Sequence, residues 1–215
     1  MGIVDRITMI RTIMTWISRG ISSALLILPT AAASAQPRPT ALQIDPAKTE
    51  VRFTLEATLH TVHGTFHAEA AVLEFDPASG ALSGEIIVDA KSGESGNGMR
   101  DRKMHKDVLE SESYPEISFR PDRVEGAVAS PGKSSVKVHG MFRVHGVDRE
   151  ITVPAEVEMS PDSWTATVHF TVPYAKWGMK NPSNIFLRVS DSVAIDMVAA
   201  GHVVRHSAAS PSAAQ

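Results

Sequence analysis

The feature that most constrains this chain is an alternation of apolar and polar residues, which recurs in short segments from residue 41 to residue 200. In residues 164–172, for example, Trp164, Val168 and Phe170 take even positions while threonines fill most of the odd ones. Successive side chains of a β-strand point to opposite faces, so a period of two buries one set and leaves the other in water. The sequence therefore predicts strands that each have one apolar face.

Turn sequences rich in Gly, Pro, Asp and Ser separate most of these segments. Links this short cannot carry a parallel crossover, so neighbouring strands should pair antiparallel. Such a sheet hides its apolar face and its edges by closing on itself or by forming a sandwich. We predict an all-β fold: an eight-stranded antiparallel β-barrel with a short helix, residues 99–109, in a long loop. The eight segments are residues 51–59, 62–75, 82–88, 117–119, 136–144, 151–159, 164–172 and 193–197.

The inward-facing residues of this barrel are the candidate ligand-binding residues. Several inward positions hold small residues, which either leave room for a ligand or relieve crowding where the barrel narrows. A membrane-spanning barrel is a further alternative, but it needs an apolar outer face and aromatic girdles, whereas the aromatic residues here are scattered along the inner face. The candidate ligand-binding residues are Phe53, Leu55, Leu59, Phe66, Ile86, Phe119, Val138, Phe142, Ala166, Val168 and Phe170, and the small inward residues are Ala57, Gly84, Gly140, Ala155 and Ala166.

The first 35 residues have the pattern of an export signal. Arginines precede an apolar core, and Ala33-Ser34-Ala35 before Gln36 fits a cleavage site. The core of roughly 13 residues is shorter than the ~20 that span a bilayer. The alternative is an amphipathic amino-terminal helix that stays attached. We expect a periplasmic protein with a signal peptide (1–35), a linker (36–41), a barrel domain (42–201) and a disordered tail (202–215).

Charge and composition exclude several classes of function. The formal net charge is -3, so no basic excess is available to neutralise a run of phosphates, and we expect no nucleic-acid partner. The absence of cysteine removes disulfides, thiolate nucleophiles and Cys-ligated metals. No phosphate-binding glycine motif or nucleophile elbow is found, so we expect no cofactor.

Two groups of polar residues are candidates for chemistry. His60, His63 and His67 lie within one short segment, but on a strand His63 and His67 would be about 13 Å apart, too far for one metal ion. We therefore expect surface and rim histidines and no bound metal, although a cross-strand site with His139 or His169 stays open. Asp101 and His105 could pair on a helix face, but no nucleophile accompanies them, which favours a solvated helix lid.

Several of these segments together resemble the YceI-like family, over residues 42–201. The resemblance rests on Ile44-Asp45, on His60-x-x-His-Gly-x-Phe66, on the Arg100-Asp101 helix that leads to Tyr114-Pro-Glu-Ile-Ser-Phe119, on the Gly140 strand with its Gly146 turn, and on Ser190-Asp-Ser-Val-Ala-Ile195. The chain departs from the family pattern where Val108 and Leu109 replace aromatic residues, where an aromatic after the histidine-bearing segment is missing, and in the insert 177–182.

The resemblance implies a lipocalin-like barrel that is exported and binds a polyisoprenoid lipid in an apolar channel. We therefore expect a lipid-binding protein for an isoprenoid quinone or a polyprenyl carrier, and not an enzyme. The expected partner is an isoprenoid lipid, with no stable membrane insertion, and a homodimer stays open. The alternatives are a hydrolase or metal-dependent enzyme that uses the histidine-rich rim or Asp101 and His105, and a ligand-free stress-response barrel.

Overall fold

The alternating segments form eleven antiparallel strands in the computed structural model, which describes residues 39–185 and 187–204. The strands are β1 (Thr40–Ile44), β2 (Glu50–Glu56), β3 (Thr61–Ala68), β4 (Val72–Phe75), β5 (Leu82–Ser83), β6 (Ile86–Glu94), β7 (Glu116–Glu125), β8 (Gly132–Val144), β9 (Val147–Met159), β10 (Ser163–Val172) and β11 (Val193–Val204). One α-helix, α1 (Gly98–Lys103), continues into a π-helical turn (Met104–Leu109), and a 3-10 turn (Pro46–Lys48) separates β1 from β2.

Eight of the strands close into a ring in the order β10-β9-β8-β7-β6-β3-β2-β11, because β10 also pairs with β11. The long strand β11 has two partners on its other side. Its first half pairs with β2 and its second half, 201–204, pairs with β1. The short strands β1, β4 and β5 extend β2, β3 and β6 toward one end of the ring. The predicted eight-stranded antiparallel barrel is confirmed.

Alternation places the apolar side chains inside this ring. On β10, Trp164 and Val172 are buried, whereas Thr165, Thr167 and Thr171 are exposed. The outer face is polar on the neighbouring strand β9 as well, where glutamates alternate with the buried set. A polar exterior around an apolar interior is the reverse of what a membrane-spanning barrel needs.

The strands are interrupted at three places, two of which lie within segments predicted as single strands. Pro46 has no N–H for the ladder, and the side chain of Asp45 accepts a hydrogen bond from Ala47 N (3.1 Å), so the chain turns between β1 and β2. The predicted strand 62–75 is divided into β3 and β4. Between β5 and β6, Gly84 has a φ of +116°, and a Cβ there would lie 2.6 Å from the carbonyl oxygen of Val72.

The predicted boundaries shift at other places. The first predicted strand, 51–59, ends at Glu56, and β6 continues to Glu94, beyond the predicted segment 82–88. The helix predicted at 99–109 is confirmed as α1 and the π-helical turn. β1 starts inside the predicted linker 36–41, and β11 runs past 201 to Val204. The predicted signal peptide and nearly all of the predicted tail lie outside the described residues.

The described strands and helices all belong to one unit, Gln36–Gln215, and the preceding unit, Met1–Ala35, lies outside the described residues. In residues 39–185 and 187–204, no helix combines the length and the hydropathy that crossing a membrane would require.

Candidate functional site

The inside of the ring is a cavity of about 600 Å³ whose wall is almost entirely apolar. Each of the eight ring strands contributes side chains to it, from Phe53 on β2 to Ile195 on β11. Cavities of roughly 300–1,000 Å³ are the usual size for small-molecule sites. Because the lining residues run from one end of the strands to the other, the cavity is an elongated channel rather than a local pocket.

Ten of the eleven predicted ligand-binding residues line this cavity. They are Phe53, Leu55, Phe66, Ile86, Phe119, Val138, Phe142, Ala166, Val168 and Phe170. Period-two alternation was sufficient to place them, because each belongs to a regular strand of the ring. Their contact with a ligand stays a prediction.

Leu59 is the exception, since its side chain is 77% exposed and does not line the cavity. The regular strand ends at Glu56, Ala57 makes a single bridge with Val189, and the chain bends at the next two residues. The alternation that continues to Leu59 in the sequence therefore has no strand to carry it.

The small residues of the predicted inward set serve two different purposes. Ala57, Ala155 and Ala166 line the cavity and leave it open. Gly140 instead allows β7 and β8 to approach closely, since a Cβ there would lie 2.4 Å from the carbonyl oxygen of Arg120. Gly84 lies between two strands and has no inward position.

One end of the cavity is closed by packed apolar side chains. Leu82, Met159 and Trp164 are buried there and form one cluster with residues of β1 and β4. The Nε1 atom of Trp164 is buried and has no hydrogen-bond partner within the described part of the chain. A polar ligand atom would gain no accessible partner at this end, because that N–H is enclosed by protein.

Farther from this closed end, the hydroxyl of Tyr174 is satisfied by the protein itself. The hydroxyl of Tyr174 donates a hydrogen bond to the carbonyl oxygen of Ser190 (2.6 Å), and burial raises the pKa of Tyr174 to about 12. Tyr174 therefore stays neutral at physiological pH. Apolar side chains from the π-helical turn and the loop after β10, among them Met104, Leu109 and Met179, complete this part of the wall.

The opposite end is open, and we call it the mouth, defined by His60, Met99, Lys103, Pro182 and Leu187. His60, Met99 and Lys103 line the cavity and are also exposed to solvent. The mouth was not predicted as part of the site, since its residues come from α1 and from loops that have no strand period. The indications in the sequence were the predicted helix lid and the expected rim histidines, of which His60 lies at the mouth.

Hydrogen bonds hold α1 at this mouth. Arg100 donates to Ser95 through Nε (2.7 Å to Oγ) and Nη2 (2.7 Å to O), and Asp101 accepts a hydrogen bond from the N–H of Ser95 (3.0 Å). Lys103 Nζ donates to the carbonyl oxygen of Pro182 (3.1 Å), which links α1 to the loop after β10. The helix is therefore tied to two different parts of the rim.

Asp101 and His105 do not form the pair that the sequence allowed. Asp101 accepts from the backbone and hydroxyl of Ser95, while His105 contacts Gly93 O through Nε2 (2.8 Å) and Ser111 Oγ through Nδ1 (3.1 Å). Since Gly93 O can only accept, Nε2 carries the proton and Nδ1 accepts from Ser111. His105 thus fastens the π-helical turn to β6, which is a structural role.

The other histidines of the described residues lie on the outer face and at the rim. His63 and His67 are exposed on β3, and His63 contacts Thr54 Oγ1 (3.1 Å). Within residues 39–185 and 187–204, no group of three or more His, Asp or Glu side chains has the arrangement of a metal site. The absence of bound metal stays a prediction. His139 differs from the expected surface histidines, since it is buried beside two carboxylates.

The model of the YceI-like domain family matches residues 42–200. Proteins named UPF0312 protein from Pseudomonas savastanoi pv. phaseolicola and Pseudomonas syringae pv. syringae are 33% identical to this chain over 97 residues, which are 44% of this chain and 48% of each relative. The match therefore spans about half the length of these relatives.

Three solved structures share the fold. Burkholderia cenocepacia BcnA aligns with a TM-score of 0.61 at 22% identity, over 74% of this chain and 99% of that one. A polyisoprenoid binding domain from Saccharophagus degradans, implicated in plant cell wall breakdown, aligns with a TM-score of 0.61 at 16% identity, over 77% and 99%. The Campylobacter jejuni YCEI protein aligns with a TM-score of 0.56 at 18% identity, over 69% and 88%.

Proposed function

Because this chain belongs to the YceI-like domain family, we propose that it is a lipid-binding protein that holds a long isoprenoid chain inside its barrel. The classes of lipid that fit the proposal are an isoprenoid quinone and a polyprenyl carrier. The role is one of binding and transport without catalysis. The similarity to a domain described as polyisoprenoid binding supports this choice of ligand class.

The observation that carries the proposal is the apolar channel of about 600 Å³ inside a closed ring of strands. Moving hydrocarbon from water into an apolar site is favourable by about 0.8 kcal/mol per CH₂ group, so affinity for such a channel grows with chain length. A polar ligand would instead lose its hydrogen bonds to water with little replacement, since the Tyr174 hydroxyl is already bonded and the Trp164 N–H is enclosed by protein. The channel therefore favours a long, flexible and apolar chain.

The direct test is mass spectrometry of an organic extract from the purified protein. An isoprenoid lipid in near-stoichiometric amount is the expected result, and its head group would distinguish a quinone from a polyprenyl carrier. An extract that contains only the phospholipids of the host would contradict the proposal.

A matched pair of variants on β10 tests whether the ligand lies in the channel. Val168 lines the cavity, whereas Thr171 is exposed on the outer face of the same strand. An unpaired carboxylate in an apolar site is strongly unfavourable, so Val168→Asp should abolish lipid retention or unfold the barrel. Thr171→Asp should leave both the fold and the lipid content of the extract unchanged. Equal lipid content in the two variants would place the ligand outside the channel.

We also propose that the protein is exported and acts in the periplasm. The support is the sequence pattern that ends in Ala33-Ser34-Ala35, which lies outside the described residues. Intact-mass measurement of the protein from a periplasmic fraction should give a chain that begins at Gln36. Recovery of the uncleaved chain from the cytoplasmic fraction would contradict export.

A further inference from the structure

The three most exposed large apolar side chains of the described residues all lie at the open end of the barrel. Ile185 is 93% exposed, Leu59 is 77% exposed and Met99 is 74% exposed. The other exposed large apolar residues are valines with exposed fractions between 39% and 51%. Single exposed apolar residues are ordinary on protein surfaces, but a group at one opening indicates a contact surface.

Backbone contacts bring these three side chains to the same rim. The loop that carries Leu59 is joined to the loop after β10 by a hydrogen bond from Thr58 N to Arg188 O (2.9 Å) and by the bridge between Ala57 and Val189. That second loop is joined to α1, which carries Met99, by Lys103 and Pro182. Three separate segments thus present apolar tips around one mouth.

The loop that presents Ile185 is ordered by its own hydrogen bonds. Leu187 N donates to Asn184 Oδ1 (2.9 Å), Asn184 N donates to Leu187 O (2.9 Å), and Val189 N donates to Ser183 Oγ (2.9 Å). Because these bonds already hold its neighbours, Ile185 loses little additional conformational entropy when it enters an apolar environment.

The same rim is basic, although the whole chain has a formal net charge of -3. Residues 57–60, 95–107 and 180–189 contain six Lys or Arg side chains and two Asp side chains. Arg102, Lys106, Lys180 and Arg188 are exposed, whereas one of the two acids, Asp101, is hydrogen-bonded to Ser95. Glu56, Glu94 and Asp191 flank these segments and are also exposed, so the excess of positive charge is confined to the segments themselves.

We propose that the mouth docks on the surface of a bilayer that contains anionic lipids. Apolar tips enter the boundary between head groups and acyl chains, and Lys and Arg side chains around them attract the anionic head groups. In this orientation the apolar channel opens directly onto the acyl region, so a hydrocarbon chain enters or leaves it without crossing water. The proposal goes beyond lipid binding itself, because docking can be measured whether or not the channel is filled.

The experiment is cosedimentation of the purified protein with vesicles of phosphatidylcholine alone or of phosphatidylcholine mixed with phosphatidylglycerol. Intact mass is measured first, so that a retained amino-terminal leader cannot account for binding. We expect binding to the anionic vesicles, weak binding to the neutral ones, and loss of binding between roughly 0.15 M and 1 M salt.

Two sets of substitutions separate the apolar and the electrostatic contributions. The triple variant Leu59→Ser, Met99→Ser, Ile185→Ser should lower the partition coefficient at least roughly tenfold. The triple variant Arg102→Gln, Lys106→Gln, Lys180→Gln should lower it on the order of a hundredfold, since each basic side chain near an anionic surface contributes about a factor of five. The matched control, Val72→Ser with Val198→Ser, removes exposed apolar residues away from the mouth and should bind like the unchanged protein.

Docking is overturned if the unchanged protein does not bind anionic vesicles, or if the control and the Leu59, Met99 and Ile185 variant lose binding equally. Thermal melting of each variant identifies any that fail to fold. The glutamine variant and the serine variant then give two independent measurements of vesicle binding. A protein that yields an isoprenoid lipid in its extract but ignores vesicles overturns docking alone. A protein that binds vesicles but yields no isoprenoid lipid overturns the proposed function alone.

Discussion

His139 is buried on the outer face of the barrel, with only 6% of its surface exposed. Its Nδ1 lies 2.7 Å from the carboxylate of Asp122 and 2.7 Å from Arg123 Nη1, and its Nε2 lies 2.7 Å from the carboxylate of Glu150. The hydrogen bond to Asp122 raises the pKa of His139 above its ordinary value of 6.5, against the opposing effects of burial and of the nearby Arg123 guanidinium. The two carboxylates therefore favour the imidazolium form, and burial and Arg123 oppose it.

The raised pKa predicts how the stability of the barrel depends on pH. The contribution of His139 is fully present below its ordinary pKa of 6.5 and is lost as the pH rises through the higher pKa of the folded state. Replacing His139 by Gln should therefore lower the melting temperature more at mildly acidic pH than at alkaline pH. Thermal melting of both proteins across this range checks the prediction.

The control for this prediction is Asp122→Asn, which removes the main cause of the shift. An NMR titration of the His139 ring should show a midpoint above 6.5 in the unchanged protein and a lower midpoint in the variant. Identical midpoints in the two proteins would contradict the assigned cause.

The sequence could not predict the environment of His139. Alternation correctly placed it on the outer face, beside inward-facing Val138, and an outer-face histidine is normally exposed. The register between β7 and β8 shifts between Pro121 and Arg123, and this bulge brings Asp122 to the histidine. A bulge adds one residue to one strand and leaves no reliable trace in a period-two pattern.

At the scale of elements, the junction between β6 and the π-helical turn holds the mouth in place. Gly93 belongs to β6, and Asn97 caps α1 through hydrogen bonds from Met99 N and Arg100 N (3.1 Å each). β6 reaches this point through an irregular register against β3, where Ser92 Oγ accepts a hydrogen bond from His67 N (2.8 Å). Side chains here replace ladder hydrogen bonds.

Gly93 makes this junction possible because it has no side chain. A Cβ there would lie 2.5 Å from the ring of Phe66 and 2.9 Å from the Met104 methyl group. The Gly93→Ala variant should therefore lose on the order of 1–3 kcal/mol of unfolding free energy, measured by urea denaturation, as expected for overpacking.

Gly98→Ala is the matched control for that variant. Nothing lies within 4 Å of a Cβ at Gly98, which is the first residue of α1. Alanine is the better helix former by up to roughly 1 kcal/mol, so this variant should be as stable as the unchanged protein or more stable. A loss of stability similar to that of Gly93→Ala would show that crowding is not the reason for glycine at 93.

For the whole molecule, the question is whether the barrel is hollow in solution. Ala166 lines the cavity, and Thr165 beside it is exposed on the outer face. In a filled core, Ala166→Phe would lower the free energy of unfolding by on the order of 1–3 kcal/mol. In a hollow core, the phenyl ring would occupy empty space and cause little loss. We expect the delipidated variant to melt close to the unchanged protein and to retain no lipid.

Thr165→Phe is the control, since it adds the same ring outside the cavity and should keep the lipid. Melting curves of the delipidated proteins, together with the lipid content of their extracts, show whether the barrel is hollow or filled. A large loss of stability in Ala166→Phe without lipid present would mean that the barrel is filled, and the carrier proposal would be wrong.

The sequence predicted the wall of the channel much better than its opening. Strand residues such as Phe53 and Val168 follow a period of two, which is a direct consequence of strand geometry. The mouth depends on Met99 and Leu187. The helix that carries Met99 is bonded to the loop after β10 through Lys103, and Leu187 is held in that loop by a hydrogen bond to Asn184. Contacts between segments so far apart in the chain have no periodic signature, so only the folded structure brings them together.

The last strand also determines when this molecule can finish folding. β11 lies between β10 and β2 and pairs with β1 as well, so that Ile44 meets Gly201. Until residues 193–204 have left the ribosome, or have crossed a membrane, β2 and β10 each expose a free edge that can pair with another chain. Pairings between such distant residues form slowly. The nascent chain therefore stays open to aggregation until the residues of β11 arrive, and any chaperone that shields these strand edges would have to act before that moment.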